Sequence, residues 1–340
     1  ADFAQAVMDA GLIWVGPSPA AITKMGDKMT ARITMKAAGV PVIPGKEVEG
    51  GLEEVLAVAP LVGYPLLLKA TSGGGGKGMR AVHDAANLES EAKAAMREAL
   101  NAFGDDRIYV ERLLTGSRHI EIQVLADKYG RTIHLGEREC SVQRRHQKVF
   151  EESPSVALDA ELRESMGQAA CAAAEAVNYE GAGTVEFLVT PSGEFFFLEM
   201  NTRIQVEHPV TEMVTGVDLV REQLRIAGGK PMSCGPLAMR GHAIEVRLYA
   251  EDPSNNFLPA IGKLKRFIAP TGPGVRLDTG VREGDDVTPD YDPMLAKLIV
   301  WAPSREEALQ RMGRALDEFV ILGCITNIRF LRELCDHPDV

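Results

Sequence analysis

Apolar and polar residues alternate along four stretches of the chain: RHIEIQVLAD (118–127), RTIHLGEREC (131–140), GTVEFLVT (183–190) and EFFFLEMN (194–201). A period of two predicts strands with one face in a core. Between the second and third stretch, DAELRESMGQAACAAAEAVNY reads as a long helix. Further on, TEMVTGVDLVREQLRIAGG and SREEALQRMGRALDEFVI predict helices, and HAIEVRLYAED, KLKRFIAP and AKLIVWA predict strands. The second half is therefore expected to be built on a large antiparallel sheet, in an α+β (or α/β) fold.

The first third has a different rhythm. Residues 1–15 predict a helix followed by a short strand, LIWVG, and DKMTARITMKAAG predicts a second helix ending at Gly39 before Pro41 and Pro44. Then come a strand (YPLLLKA), a glycine-rich loop, a strand (GMRAVHD), a helix (NLESEAKAAMREALNAF) and a strand (RIYVERLL). This βαβ-like block, residues 41–113, is small enough to be one module, with 1–40 before it and 114–340 after it. The chain opens inside a predicted helix without a methionine, which predicts a fragment lacking an N-terminal part.

Composition narrows the function. A net charge of −11 argues against binding a nucleic-acid backbone, which needs clustered cations. No apolar run approaches the roughly 20 residues of a membrane span, and the first residues lack the pattern of a secretory leader. Five scattered cysteines without zinc-type spacing predict free thiols in a reducing compartment.

The loop in KATSGGGGKGMR holds Gly73, Gly74, Gly75, Gly76 and Gly78 between Lys69 and Met79. Walker A spacing fails, because Thr71 stands where its first glycine belongs and Gly78 where Ser or Thr should follow the lysine. GxGxxG matches at Gly73, Gly75 and Gly78, but a strand follows it, not the helix that a dinucleotide fold requires. What remains is a hairpin flap over phosphates, as in kinases, or simply a hairpin tip.

The hairpin GTVEFLVTPSGEFFFLEMNTR is more specific. A two-residue turn at Ser192-Gly193 places Glu186 opposite Glu199, and Asn201 projects from the same face. Facing like charges call for a cation, and three hard oxygen donors suit Mg²⁺; the alternative is a solvated sheet face. Just beyond, Arg203, Gln205 and Glu207 share one side if the chain is extended, as a clamp and base for a small oxyanion, or Glu207 merely pairs with Arg203. The segment QRRHQK (143–148) is either part of the site or a charged surface strand.

Taken together, MGDK, LLLKATSGGGGKGMR, ERECSVQRRHQKV, FFLEMNTRIQVEHPVTE and GVDLVREQLRIA resemble the biotin carboxylases of the ATP-grasp superfamily, from residue 1 to the end, in the α-subunit type of the acyl-CoA carboxylases. The resemblance implies an ATP-grasp fold in which module 41–113 is the lid and residues 1–40 are the remnant of a Rossmann-like domain. It implies ATP-dependent carboxylation of biotin by bicarbonate through carboxyphosphate. ATP would lie among Lys28, Lys69, Gly74, Gly75, Gly76, Met79, Glu111, Arg112, Leu114, His119, Gln143, His146, Leu188 and Glu199. Mg²⁺ (or Mn²⁺) would be held by Glu186, Glu199 and Asn201, and bicarbonate by Lys148, Arg203, Gln205 and Val206. Glu207 would be the base, with Arg203 and Lys148 beside it, and Arg276 would steady the biotin enolate.

Expected partners are a biotin carboxyl carrier, a carboxyltransferase subunit and further copies of the chain, in the cytoplasm or a mitochondrial matrix. No biotin-accepting AMKM segment occurs, so the carrier must lie elsewhere. Another ATP-grasp ligase, or an inactive nucleotide-binding fragment, are the competing readings.

Overall fold

The computed structural model describes residues 1–48, 51–70, 79–145, 147–235 and 238–340. Eight strands form the central sheet, in the order Val275–Thr279, Met294–Ala302, His242–Tyr249, Gln147–Ser153, Thr132–Arg144, Arg118–Ala126, Gly181–Val189 and Phe195–Asn201, with every neighbouring pair antiparallel. The four alternating stretches thus become one continuous half of the sheet. A second sheet, ordered Gly45–Val48, Ile108–Arg112, Leu66–Ala70 and Met79–Val82, is also antiparallel throughout. The βαβ-like expectation for that block gives way here: its strands pair without a parallel crossover.

Helices pack on both faces of the large sheet, with His208–Thr215 and Leu219–Ala227 on one (Val210 and Val214 against Ala243 and Ile299, Leu219 and Ile226 against Leu125 and Ala182) and two longer helices on the other. Helix Ala160–Glu175, capped by the Asp159 carboxylate on Leu162 N–H at 2.8 Å, lays Met166, Ala170, Ala173 and Ala174 on Ile120, Ile122, Val185 and Phe187. Its run of alanines lets helix and sheet approach closely. Helix Arg305–Glu318 does the same at the other end, with Ala308, Met312 and Leu316 on Ile244, Val246, Leu298 and Val300. In the small sheet, Leu66, Leu68, Ile108 and Val110 pack against Val55, Val58, Leu88 and Ala92 of helices Gly51–Val62 and Ala85–Phe103. Polar residues of both sheets then meet across a cavity.

Several predicted elements change. LIWVG is not a strand; Trp14 folds back, its Nε1 donating to Pro17 O at 2.8 Å. The helix expected over 211–229 is two, His208–Thr215 and Leu219–Ala227, because Gly216 turns left-handed at φ 75° and caps the first. KLKRFIAP supplies only the short strands Gly262–Lys263 and Arg266–Ile268. Helices Pro19–Gly26, Gly51–Val62 and Ile328–Cys335, and strands Gly45–Val48 and Val275–Thr279, escaped the sequence pattern.

Candidate active site

Glu186 and Glu199 stand directly across from each other on neighbouring strands, and Thr184 faces Asn201. The turn that sets this up is not the expected one. Thr190 N–H donates to Glu194 O, so Pro191, Ser192 and Gly193 form a three-residue loop with Gly193 at φ 83°. That alone would leave the register one residue out, with Phe187 opposite Phe197. A bulge at Leu198 corrects it, turning Glu199 and Asn201 to the face opposite Phe195 and Phe197, which join the core.

The cavity, about 590 Å³, is bounded at one end by this hairpin with Lys148, Arg203, Gln205, Val206, Glu207 and Arg247, and at the other by Lys28, Arg32, Lys69, Met79, Tyr109 and Glu111. Its size suits a small-molecule ligand. His119, Gln143 and Gln147 also line it.

Beneath the hairpin lies a network of buried charges. The Lys148 ammonium donates to Glu121 at 2.6 Å, Glu207 at 2.7 Å and Glu186 at 3.0 Å. Burial alone would lower the lysine's pKa, but the three carboxylates reverse that and push it up. Arg138, with no exposed surface, reaches Glu121, Gln123, Thr211, Thr184 and Gln205, at 2.5–3.0 Å. Glu207, at the N-terminus of helix His208–Thr215, sits between two cations: Oε1 on Lys148 and Oε2 at 3.0 Å from Arg247.

Glu186 takes donors from Lys148, from Asn201 Nδ2 and from Gln205 Nε2, the last two at 2.8 Å, and His119 Nε2 lies 2.8 Å away. Burial works against its charge, but His119 and Lys148 prevail and hold its pKa at about 2. Glu199 is moved the other way, by burial first and the facing Glu186 second. Burial and the facing carboxylate both disfavour its charge, and a bound cation would offset them. With Asn201, the two glutamates give the oxygen donor set that suits Mg²⁺. His119, Glu121 and Glu186 also bring ligand atoms within 4.8 Å of one another. Glu121, however, is already taken by Arg138 and Lys148.

At the far end, Lys69 forms an ion pair with the buried Glu111, and Arg32 lies 4.0 Å from the same carboxylate and stacks over the Tyr109 ring at 4.8 Å. Gln143 donates to Cys140 O at 2.8 Å.

Not every expected residue lies on the cavity wall. Arg112 is exposed at a strand end, and Leu114 and Leu188 are half-buried outside it. Gly74, Gly75, Gly76 and His146 lie outside the described residues. Arg203 lines the mouth but does not pair with Glu207; it donates to Ile204 O at 3.2 Å, because the 202–207 segment turns instead of extending. Val206 reaches the cavity, with its carbonyl accepting from Lys297.

Arg276 belongs to an adjoining groove with His208, Glu212 and Arg221, and pairs with Glu212 at 2.7 Å and Asp278 at 2.8 Å. The cavity wall also presents Arg247, which sequence reasoning missed along with Arg32, Glu121 and Arg138. For Glu121 and Arg247 the signal was present: polar or charged residues recur at every second position in HIEIQV and IEVRL, between apolar neighbours.

Two antiparallel sheets enclosing a cavity of carboxylates and cations define an ATP-grasp enzyme. Residues 27–234 match the family described as carbamoyl-phosphate synthase L chain, ATP binding domain, and residues 245–340 match the biotin carboxylase C-terminal domain. The chain is 52% identical to a biotin carboxylase of Nostoc sp. over 345 aligned positions, covering 100% of this chain and 76% of the relative. It is 51% identical to the methylcrotonoyl-CoA carboxylase subunit alpha of Dictyostelium discoideum, covering 99% of this chain and 49% of the relative. Among solved structures it resembles the biotin carboxylase domain dimer of the Hydrogenobacter thermophilus 2-oxoglutarate carboxylase, determined with MgADP, ADP and bicarbonate. That likeness has a TM-score of 0.92 and 44% identity, and covers 99% of this chain and 75% of the other. The chain belongs to the biotin carboxylase family.

Proposed function

We infer that the chain carboxylates biotin with bicarbonate at the expense of ATP. The observation that carries this reading is Glu207, wedged between Lys148 and Arg247 at one end of a cavity whose other end holds Lys69 and Glu111. Such a cavity can receive a nucleotide triphosphate and a small oxyanion side by side. Lys28 and Lys69 meet the phosphates, and Glu111 and Met79 border the base, near His119 and Gln143. Glu186, Glu199 and Asn201 would hold a divalent cation, which when bound neutralises phosphate charge.

Bicarbonate sits among Lys148, Arg203, Gln205 and Val206, where Glu207 takes its proton. Its oxygen attacks the γ-phosphorus, the bond to ADP breaks, and carboxyphosphate forms. Carboxyphosphate then splits into CO₂ and phosphate, the phosphate takes the N1 proton of biotin, and N1 bonds to CO₂. Negative charge develops on the biotin ureido oxygen as that proton leaves. Two cations are candidates to meet it, Arg276 in the adjoining groove and Arg247 on the cavity wall. Preorganised charge of this kind is usually the largest catalytic contribution.

The product needs an acceptor, so a biotin carrier and a carboxyltransferase are the partners. The subunit-alpha relative favours an acyl-CoA as final acceptor, and the dimeric neighbour favours self-association. ADP release measured with and without bicarbonate and free biotin tests the reading. Turnover should depend on both, and ATP cleavage indifferent to both would overturn it.

A further inference from the structure

One part of the charged layer has no role in this scheme. Glu245 and Glu151 face each other across the ladder between His242–Tyr249 and Gln147–Ser153, and neither has any exposed surface. Arg247 Nε donates to Glu151 Oε1 at 2.6 Å. Glu151 Oε2 and both Glu245 oxygens are buried without a hydrogen-bond partner among the described residues.

The groups facing the pair are few. Arg247 lies on Glu245's own strand and Lys148 on Glu151's. Lys297 comes from Met294–Ala302, Cys140 from Thr132–Arg144, and Glu207 from the start of the covering helix. None of these cations is committed to Glu245. Arg247 is divided between Glu151 and Glu207, Lys148 is held by Glu121, Glu186 and Glu207, and Lys297 donates to Val206 O, 3.6 Å from Asp278.

Two facing carboxylates, only one of them bonded to a guanidinium, cannot both stay ionised in a buried layer. A proton on Glu245 would make one oxygen a donor for the unpartnered Glu151 Oε2 across the ladder, matching two of the three orphaned atoms. Burial pushes both groups in that direction, with Glu151 reinforcing it at Glu245 and Glu207 at both.

We propose that Glu245 and Glu151 hold one proton between them in the working enzyme, and that this singly charged pair positions Arg247 so that its guanidinium reaches Glu207. Both are positioning residues, and their function rests on the reading of Glu207 as the base. Loss of the proton to solvent at alkaline pH adds a second negative charge behind Arg247. That charge draws the guanidinium back from Glu207, so kcat falls while the nucleotide end is untouched.

Infrared spectroscopy of the whole chain tests the proton directly. At neutral pH the wild type should show the carbonyl stretch of a buried, protonated carboxylic acid that shifts in D₂O. The band should be lost in Glu245→Gln and should fade in the wild type as pH is raised. No such band in the wild type, or a band unchanged in Glu245→Gln, overturns the proposal. Should that variant not fold, the wild-type band decides alone: a band that does not fade as pH is raised overturns the proposal. The kinetic companion is the alkaline limb of kcat for bicarbonate- and biotin-dependent ATP cleavage, which should move in Glu245→Gln with KM for ATP constant; superimposable profiles overturn the positioning role. Because the band is read without turnover, a failure of the carboxylase reading itself would appear separately, as wild-type ATP cleavage that ignores bicarbonate.

Discussion

Glu186 and Glu199 face each other across one rung of the sheet, and their surroundings push their pKa values apart. Glu186 is surrounded by donors, whereas Glu199 meets the charge of its neighbour. A cation between them relieves that conflict. Glu199→Gln should therefore raise the Mg²⁺ concentration needed for half-maximal ATP cleavage by at least roughly tenfold, since even outer-shell partners contribute that much. An Mg²⁺ titration at saturating ATP checks it, and an unshifted midpoint removes Glu199 from the donor set.

Glu207→Gln keeps the shape between Lys148 and Arg247 but removes the base. Nucleotide binding should persist, and bicarbonate-dependent ADP formation should drop by about 10²- to 10⁴-fold. Nucleotide affinity by calorimetry, together with a coupled ADP assay, separates the two effects.

Arg247→Lys retains a charge but loses the fork that spans Glu151 and Glu207. Biotin carboxylation should suffer more than any bicarbonate-dependent ATP cleavage measured without biotin. Finding the larger loss in Arg276→Lys instead would return the biotin-facing role to the neighbouring groove.

Arg138→Met leaves Glu121 buried with half its counter-charge gone. Removing one partner of a buried pair costs about 3–5 kcal/mol, visible as a lower midpoint in urea. Arg276→Met, at a site about a third exposed, should cost about 1 kcal/mol or less.

Stability should also depend on pH with a definite sign. Burial raises Glu151 to about 7; Arg247 opposes the shift and Glu207 reinforces it. Between the ordinary carboxylate range and about pH 7, the native chain holds a proton that the unfolded chain has lost. Its contribution is therefore complete below that range and declines as pH rises, by up to about 1.4 kcal/mol per unit. Tm measured from about pH 5 to 8 should fall, and Glu151→Gln should flatten the slope. Glu152 has the opposite sign: burial opposes its charge, but His242 and Arg305 overcome it and lower its pKa, so its contribution fades only in acid.

Much of this was legible in the residues because strand alternation is a local signal. The central strands and the pairing of Glu186 with Glu199 could be read directly, although two errors cancelled: the turn is one residue longer than expected, and the bulge takes up the difference. Helix Gly51–Val62 was hidden by its continuous apolar run and by Pro60 inside it. The buried network was not legible in the same sense. Alternation shows that Glu121, Arg138 and Arg247 point away from the hydrophobic face, but only tertiary contact decides which carboxylate each cation meets.

The bulge at Leu198 makes the hairpin tolerant of a change in chain length at one position. If Leu198 were deleted, the ladder would run straight from Phe197 and still bring Glu199 opposite Glu186. If the full-length strand were ironed flat, the same glutamate would move opposite Val185 and be driven into the hydrophobic layer, with Met200 swung out in its place. Shortening is therefore survivable and straightening is not, so insertions and deletions in this strand should sort into harmless and disabling classes with little between them.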